Sequence, residues 1–497
     1  MPTTERVGAT KRAFSALARG PGHAHLLGRP ARNKKQQGFA LLLSLIAIAV
    51  LAILVTDLHE TTGMSFSAAT AERDQLRAEY LAKSGINLTR MLIGQEKNVR
   101  QLMSGFYQMA FQRPPPQLPV WKFADALLAP FENFNGSKED VAEAGIDVER
   151  TEGLGNMHGT FTVASAAENG KVNVNDPRLQ DLASSQASVA SLFYGLMGGY
   201  QPSPNKYDPL FSALDEKGRV TSRLDLIDSV IDWWDGDQSR ANYDPVLGTV
   251  TATGAEDEDF YKSQPEPYMI RNAPFDTLEE LRLVRGMSDD IWATFVEPDL
   301  DDPASRQVSI YGMARTNPNE AQPNVILARL CSFQQVRDQP LCTDPNGAEP
   351  LKFINLIMTA RMMSGGAPFF SRAADFMNFV TGAPNSLYTM LQSLLGGKSS
   401  GGGAGSMSSG PSLGGGSGAA SSLLFTPLKI TNPDVATEMR KTFGTSGFIF
   451  TIEVTGTSGN AQRRIRAVIN TDPKWTPPKP NAGKLPPLGV FAYYRLD

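Results

Sequence analysis

The sequence is poor in the residues that perform chemistry. Four histidines and two cysteines are spread over 497 residues. His23 and His25 stand in a basic leader, His59 follows an apolar run, and His158 is alone in the body beside "GNMHGTF". No serine–histidine–aspartate, cysteine–histidine or metal-hydrolase spacing surrounds it. A bond-cleaving mechanism therefore has no candidate set of residues, and the chain reads as a non-enzyme. Cys331 and Cys342 have no histidine near them, which argues against zinc. They lie on one turn-rich stretch and suit either a disulfide in an oxidising compartment or two separate thiols. Proline is missing from Asn33 to Arg113, so nothing there breaks a helix. Excess positive charge is missing as well. Beyond residue 37 the chain has 39 Lys and Arg against 50 Asp and Glu, which argues against a broad nucleic-acid surface.

What is present is one long apolar run, "FALLLSLIAIAVLAILV", Phe39 to Val55, whose only polar side chain is Ser44. At helical rise it spans roughly 25 Å, near the lower limit for crossing hydrocarbon. Basic residues precede it and the acids Asp57 and Glu60 follow, which puts the N-terminus in the cytoplasm and the body outside. No small-residue cleavage site ends the run. It passes without a turn into "TDLHETTGMSFSAATAERDQLRAEYLAKSGINLTRMLI", where Leu76, Tyr80, Leu81, Ser84 and Leu88 recur at helical spacing. The spacing predicts one continuous rod from Phe39 to about Ile93. A signal anchor on a stalk is one reading of it.

A second reading rests on "QQGFALLLSLIAIAV", which resembles a type IV pilin-type prepilin leader. That resemblance implies cutting after Gly38 by a membrane peptidase and N-methylation of Phe39. Glycine suits the place, because a peptidase binds extended backbone and glycine resists helix. Most such leaders carry Glu at the fifth mature position, and here Leu43 stands there. In the family that carboxylate pairs with the N-terminal amine of the previous subunit. A subunit with no predecessor has no such amine, and an unpaired carboxylate in hydrocarbon is costly. Leu43 thus points to a first, tip-located subunit, or to plain drift in an anchor.

Five further blocks occur in order: "RDQLRAEYLAKSGINLTRMLI", "NGKVNVND", "DLIDSVIDWWDGD", "GAEDEDFY" and "APFDTLEELRLVRGMSDDIWATF". Together they resemble the minor pseudopilin K family of type II secretion (general secretion pathway protein K, GspK). The resemblance implies an α+β fold: a pilin-like long N-terminal transmembrane helix plus antiparallel sheet, with a large, mostly helical, SAM-like insertion. It implies the minor pseudopilins I and J, the major pseudopilin, prepilin peptidase and inner-membrane lipid as partners. It also implies a single pass through the inner membrane of a Gram-negative bacterium, bulk in the periplasm, and a place at the tip of the pseudopilus, where the subunit starts assembly and caps the filament. A minor pilin of a type IV pilus and a single-span periplasmic binding or adhesion protein are the alternatives.

On this layout residues 1–38 are leader, 39–95 the rod, and 96–175 the first part of the pilin-like body. Residues 176–302 are the insertion, 303–395 the body continued, 396–422 a Gly/Ser-rich loop and 423–497 the C-terminal strands. "GTFTVASAAENGKVNVND" reads as a strand pair with an Asn-Gly turn. From Asp176 to Pro298 the pattern reads as helical. "FIFTIEVTGTSGNAQRRIRAVIN" reads as a hairpin with Phe448, Phe450 and Ile452 on one face, and "GVFAYYRLD" as a last strand. "GGKS" in the Gly-rich tract is no phosphate loop, because Gln392 stands where its first Gly belongs. "RGMSDD" suggests a helix-hairpin-helix turn, but its acids would repel phosphate, so it reads as packing.

The strongest chemical signal is acidic. "DWWDGDQ" supplies Asp232, Asp235 and Asp237, and "GAEDED" supplies Glu256, Asp257, Glu258 and Asp259, on either side of a loop. Calcium takes six to eight oxygen ligands, mostly carboxylate and carbonyl, on irregular backbone. The twelve-residue spacing of an EF-hand is absent. The family resemblance also implies calcium in this insertion. Asp235, Asp237, Glu256 and Asp257 are the best ligands for a structural Ca2+; a solvated acidic surface with helix caps is the competing reading.

Overall fold

The computed structural model describes residues 34–111, 114–132, 159–175, 181–212, 220–256, 258–312, 315–363, 368–384, 386–396, 424–472 and 488–497. Residues 1–70 and 71–497 form two compact units. Helix α1 (Lys34–Phe111) begins in the first and ends in the second. It is followed by α2 (Ala124–Glu132), β1 (Thr160–Ala167), β2 (Val172–Asn173), α3 (Leu182–Leu196) and α4 (Arg223–Trp234). Then come β3 (Ser239–Asp244), β4 (Thr249–Ala255), β5 (Val308–Ser309), α5 (Pro323–Cys331), α6 (Ala348–Met363), α7 (Ala373–Val380), α8 (Leu387–Gly396) and α9 (Pro433–Thr442). Strands β6 (Ile449–Ser458), β7 (Ala461–Asn470) and β8 (Val490–Leu496) close the chain. The class is α+β.

In the first unit every residue from Phe39 to Ala69 is exposed. Polar groups there satisfy themselves: the Ser44 hydroxyl donates to the Leu41 carbonyl and Thr56 to Ala52, both at 2.8 Å. Such back-bonding lets a hydroxyl sit on an apolar helix without an orphaned donor. Among the described residues this is the one helix long and apolar enough to cross a membrane. Helical backbone starts at Lys34 and includes Gly38, where glycine was expected to resist the helix, and it runs to Phe111 rather than stopping near residue 95. With no proline before Pro114, propagation continues at little cost once the helix is nucleated.

In the second unit α1 lies on a four-stranded antiparallel sheet of order β1-β6-β7-β8. Leu81, Ala82, Ile86 and Ile93 pack on Phe161, Val163, Phe450, Ile452, Val454, Ile465, Ala467 and Ile469. Two glycines set the helix–sheet spacing. A Cβ on Gly456 would lie 2.0 Å from the Ala78 carbonyl oxygen, and one on Gly85 would lie 2.7 Å from Val454 Cγ1. The β6–β7 hairpin is longer than the pattern suggested, pairing Ile449 with Asn470 through to Ser458 with Ala461. Its turn is the pair Gly459-Asn460, with Gly459 at φ 56°.

The opposite face of the sheet is ionic. Glu453 is buried and binds Arg306 at 2.7 Å and Arg464 at 2.5 Å, and Arg306 also reaches Glu297 at 2.6 Å. Beside them the buried pair Glu168–Lys171 meets at 2.5 Å, with Ser309 and Thr451 donating to the same carboxylate.

Three expectations need correcting. "AENGKVNVN" is no hairpin: β1 pairs with β6, while β2 pairs in parallel with β5. Asn169 instead donates to the Ser446 carbonyl at 2.9 Å, and Gly170 is needed for close approach, since a Cβ there would lie 3.0 Å from the Ala321 amide. Among the described residues the stretch 303–395 adds no strand to the four-stranded sheet, although Arg306 and Ser309 reach its ionic face. Val325, Phe353, Phe376 and Phe379, with Phe425 and Phe443, share one core with Phe193, Trp234 and Phe295 of the insertion. The insertion is also not helical throughout, because "SRANYD" and "TVTATGA" form the antiparallel hairpin β3–β4. Thr and Val at alternate positions favour extended backbone, and Gly248 at φ 70° makes the turn.

Candidate metal centre

Helix α4 starts on a capping box, with Ser222 accepting from the Asp225 amide and the Asp225 carboxylate accepting from the Ser222 amide. It ends at Asp235, where the backbone turns extended (φ −77°, ψ 164°). Along its buried face Asp228 accepts from the Tyr243 amide at 2.9 Å and Asp232 from the Ala241 amide at 2.7 Å. These two carboxylates hold the outer edge of β3 against the helix. The hairpin then returns the chain: Ser239 pairs with Ala255, and the Glu256 amide donates to the Gln238 carbonyl at 3.3 Å. This is what brings Glu256 beside Asp235 and Asp237.

Oxygens of Asp235, Asp237 and Glu256 all lie within 4.8 Å of one another. Asp235 Oδ2 accepts from Gln186 Nε2 at 2.7 Å, and Asp237 Oδ1 from the Ser239 amide at 2.7 Å. Asp235 Oδ1 and Glu256 Oε1 are buried with no hydrogen-bond partner. Asn272 closes the site from the far side. It is the one non-glycine residue at positive φ (49°) among those described, its Nδ2 donates to the Asp237 carbonyl at 3.0 Å, and its own Oδ1 is buried and unpartnered. Gln186 and Asn272 gave no signal in the sequence, because a single neutral amide in a loop or helix marks nothing. Asp257 lies outside the described residues, as do His158 and residues 397–422 of the Gly-rich tract.

The charges strain against one another. Burial first, then the neighbouring carboxylates, pushes Asp232 up to about 8 and Glu256 to about 7. Asp235 rises to about 6 through burial and the nearby Asp237, despite the Gln186 hydrogen bond, and Asp228 rises to about 6 mainly through burial. Unpartnered buried carboxylate oxygens normally find a proton or a cation. The donor set is oxygen only and suits a hard cation such as Ca2+, with no thiol or imidazole to favour zinc.

Cys331, the last residue of α5, and Cys342 are joined by a disulfide with a Cα separation of 5.9 Å, and both are buried.

The described residues thus hold one helix long and apolar enough to cross a membrane, a four-stranded antiparallel sheet and an oxygen-only acid cluster. Residues 179–296, which contain the whole acid cluster, match the family model of type II secretion system (T2SS), protein K. That match covers 118 of the chain's 497 residues. Among solved structures it is similar to the complex of GspK, GspI and GspJ from the enterotoxigenic Escherichia coli type 2 secretion system. The identity is 11% and the TM-score 0.35, over 68% of this chain and 80% of that one. Among curated proteins, none matches.

Proposed function

We propose that this protein is the tip subunit of a type II secretion pseudopilus, made as a precursor, cut after Gly38 and N-methylated on Phe39. The observation that carries this reading is the union in one chain of the protein K domain with a helix whose residues from Phe39 to Ala69 are all exposed. So much bare apolar helix has two uses in sequence: a membrane anchor before assembly, and a packing rod against other subunits after it. The minor pseudopilins I and J, then the major pseudopilin, are the partners for that rod. Leu43 supports a first position, since no earlier subunit offers an amine to pair with a carboxylate there. The large body supports a cap, because a repeating subunit of a tight filament has no room for the insertion. The bulk then lies in the periplasm.

The mass and N-terminal sequence of the protein isolated from membranes test this. They should give Phe39 with one added methyl; functional protein that still starts at Met1 removes the reading.

The acid site would hold one structural Ca2+ through Asp235, Asp237 and Glu256, with Asn272 Oδ1 as a further oxygen and Asp257 as the neighbouring acid in sequence. The ion would tie the end of α4 to the return of the β3–β4 hairpin. Calorimetry on the detergent-solubilised chain should show calcium binding that is lost in Asp235→Ala, and absence of heat in the unaltered protein would exclude the site.

A further inference from the structure

The two edges of the four-stranded sheet are treated differently. At β1 the outer edge is closed: Asp125 of α2 accepts the Val163 amide at 2.7 Å, and the Ser165 hydroxyl donates to the Trp121 carbonyl at 2.6 Å. At β8 no described residue does the same. Arg464 and Asp497 exchange both backbone hydrogen bonds, at 2.8 and 3.3 Å. By the alternation of an antiparallel ladder, Arg466–Arg495 and Val468–Tyr493 are the next bonded pairs. The amides and carbonyls of Tyr494 and Leu496 therefore point away from β7, out of the sheet. The irregularity in register lies between Val468 and Ile469, so the strand is regular from Tyr493 onward.

Side chains at this edge form a shelf. Tyr494 and Leu496 stand opposite Ala467 and Ile465, whose side chains face α1, yet both remain exposed at 44% and 41%. The helix lies alongside: Arg90 donates to the Leu488 and Gly489 carbonyls at 3.0 and 3.1 Å and stacks 4.2 Å over the Phe491 ring. Leu76 and Tyr80 of α1 are also exposed apolar side chains. An added strand would have its backbone bonded by Tyr494 and Leu496, with alternate side chains falling beside α1.

We propose that β8 receives an extended strand of a neighbouring subunit in the tip complex, so that the subunits join by sheet extension as well as by packed rods. The source is a subunit rather than cargo because Leu76 and Tyr80 are exposed on α1, the helix whose exposed stretch from Phe39 to Ala69 would, on the tip reading, be the rod that packs against neighbours. This rests on the tip reading above.

The test uses the full cleaved chain in detergent, alone and with companion subunits I and J. Hydrogen exchange should show the Tyr494 and Leu496 amides unprotected alone and slowed at least about tenfold in the complex, while Tyr493 and Arg495 are protected in both. Tyr494→Pro and Leu496→Pro remove only outward amides, so they should keep the melting temperature and lose at least about tenfold in association. If a proline variant melts early, Tyr494→Lys with Leu496→Lys replaces it and is read the same way. A complex that forms with both edge amides still exchanging freely, or equally well with the lysine pair, overturns the proposal. An unaltered chain that binds neither subunit would instead overturn the tip reading.

Discussion

Asp235, Glu256 and Asp232 sit folded with raised affinity for protons, and this fixes a sign. The folded state binds more protons than the unfolded one between about pH 4, the ordinary carboxylate range, and about pH 8, the highest of the raised values. Unfolding free energy of the ion-free protein therefore falls as pH rises through that window. In a chelator the melting temperature should be higher at pH 6 than at pH 8. Calcium competes with those protons, so it should raise the melting temperature more at pH 8 than at pH 6. Scanning calorimetry at both pH values, with and without calcium, reads this directly. Asp235→Asn with Glu256→Gln should flatten the ion-free dependence; an unchanged slope in that variant would place its origin elsewhere.

At the scale of elements, the closest approach in the fold is α1 against β6. Gly456→Ala puts a methyl 2.0 Å from the Ala78 oxygen, a backbone atom that cannot swing aside. The helix must lift from the sheet, and we expect a loss on the order of 2–4 kcal/mol in denaturant unfolding. Gly105→Ala, on the same helix with nothing within 4 Å, should be neutral or stabilise by up to about 1 kcal/mol. Equal behaviour of the two variants would mean that glycine spacing does not set this interface. The same contrast explains which elements were legible in the sequence. The rod and the β6–β7 hairpin declare themselves through local pattern: an unbroken apolar run, then alternation around Gly-Asn. The Asn-Gly of residues 169–170 uses its glycine for a neighbour more than a hundred residues away, which no local pattern encodes. Likewise the acid cluster was visible as carboxylates near one another in sequence, whereas the β3–β4 return that joins them and the amides of Gln186 and Asn272 depend on tertiary packing. Asp232 has the right residue type but is committed to holding β3.

For the whole second unit, the decisive feature is the charged layer on the sheet face away from α1. The helix face is sealed by apolar side chains. The other face joins the sheet to the segment carrying Glu297 and Arg306 through Arg306, Glu453, Arg464 and Arg466. Buried ion pairs add little net stability over apolar packing, yet removing one partner strands the other. Such a layer is poor glue and good registration, because only one placement satisfies every charge. Arg306→Met should therefore cost about 3–5 kcal/mol, since Glu297 and Glu453 would remain buried without their main counter-ion. Adding Glu453→Leu and Glu297→Met should recover most of that loss. A triple-mutant cycle by urea unfolding separates the cases. A near-zero cost for Arg306→Met alone would show that water reaches the layer and that apolar contacts elsewhere fix how the insertion meets the sheet.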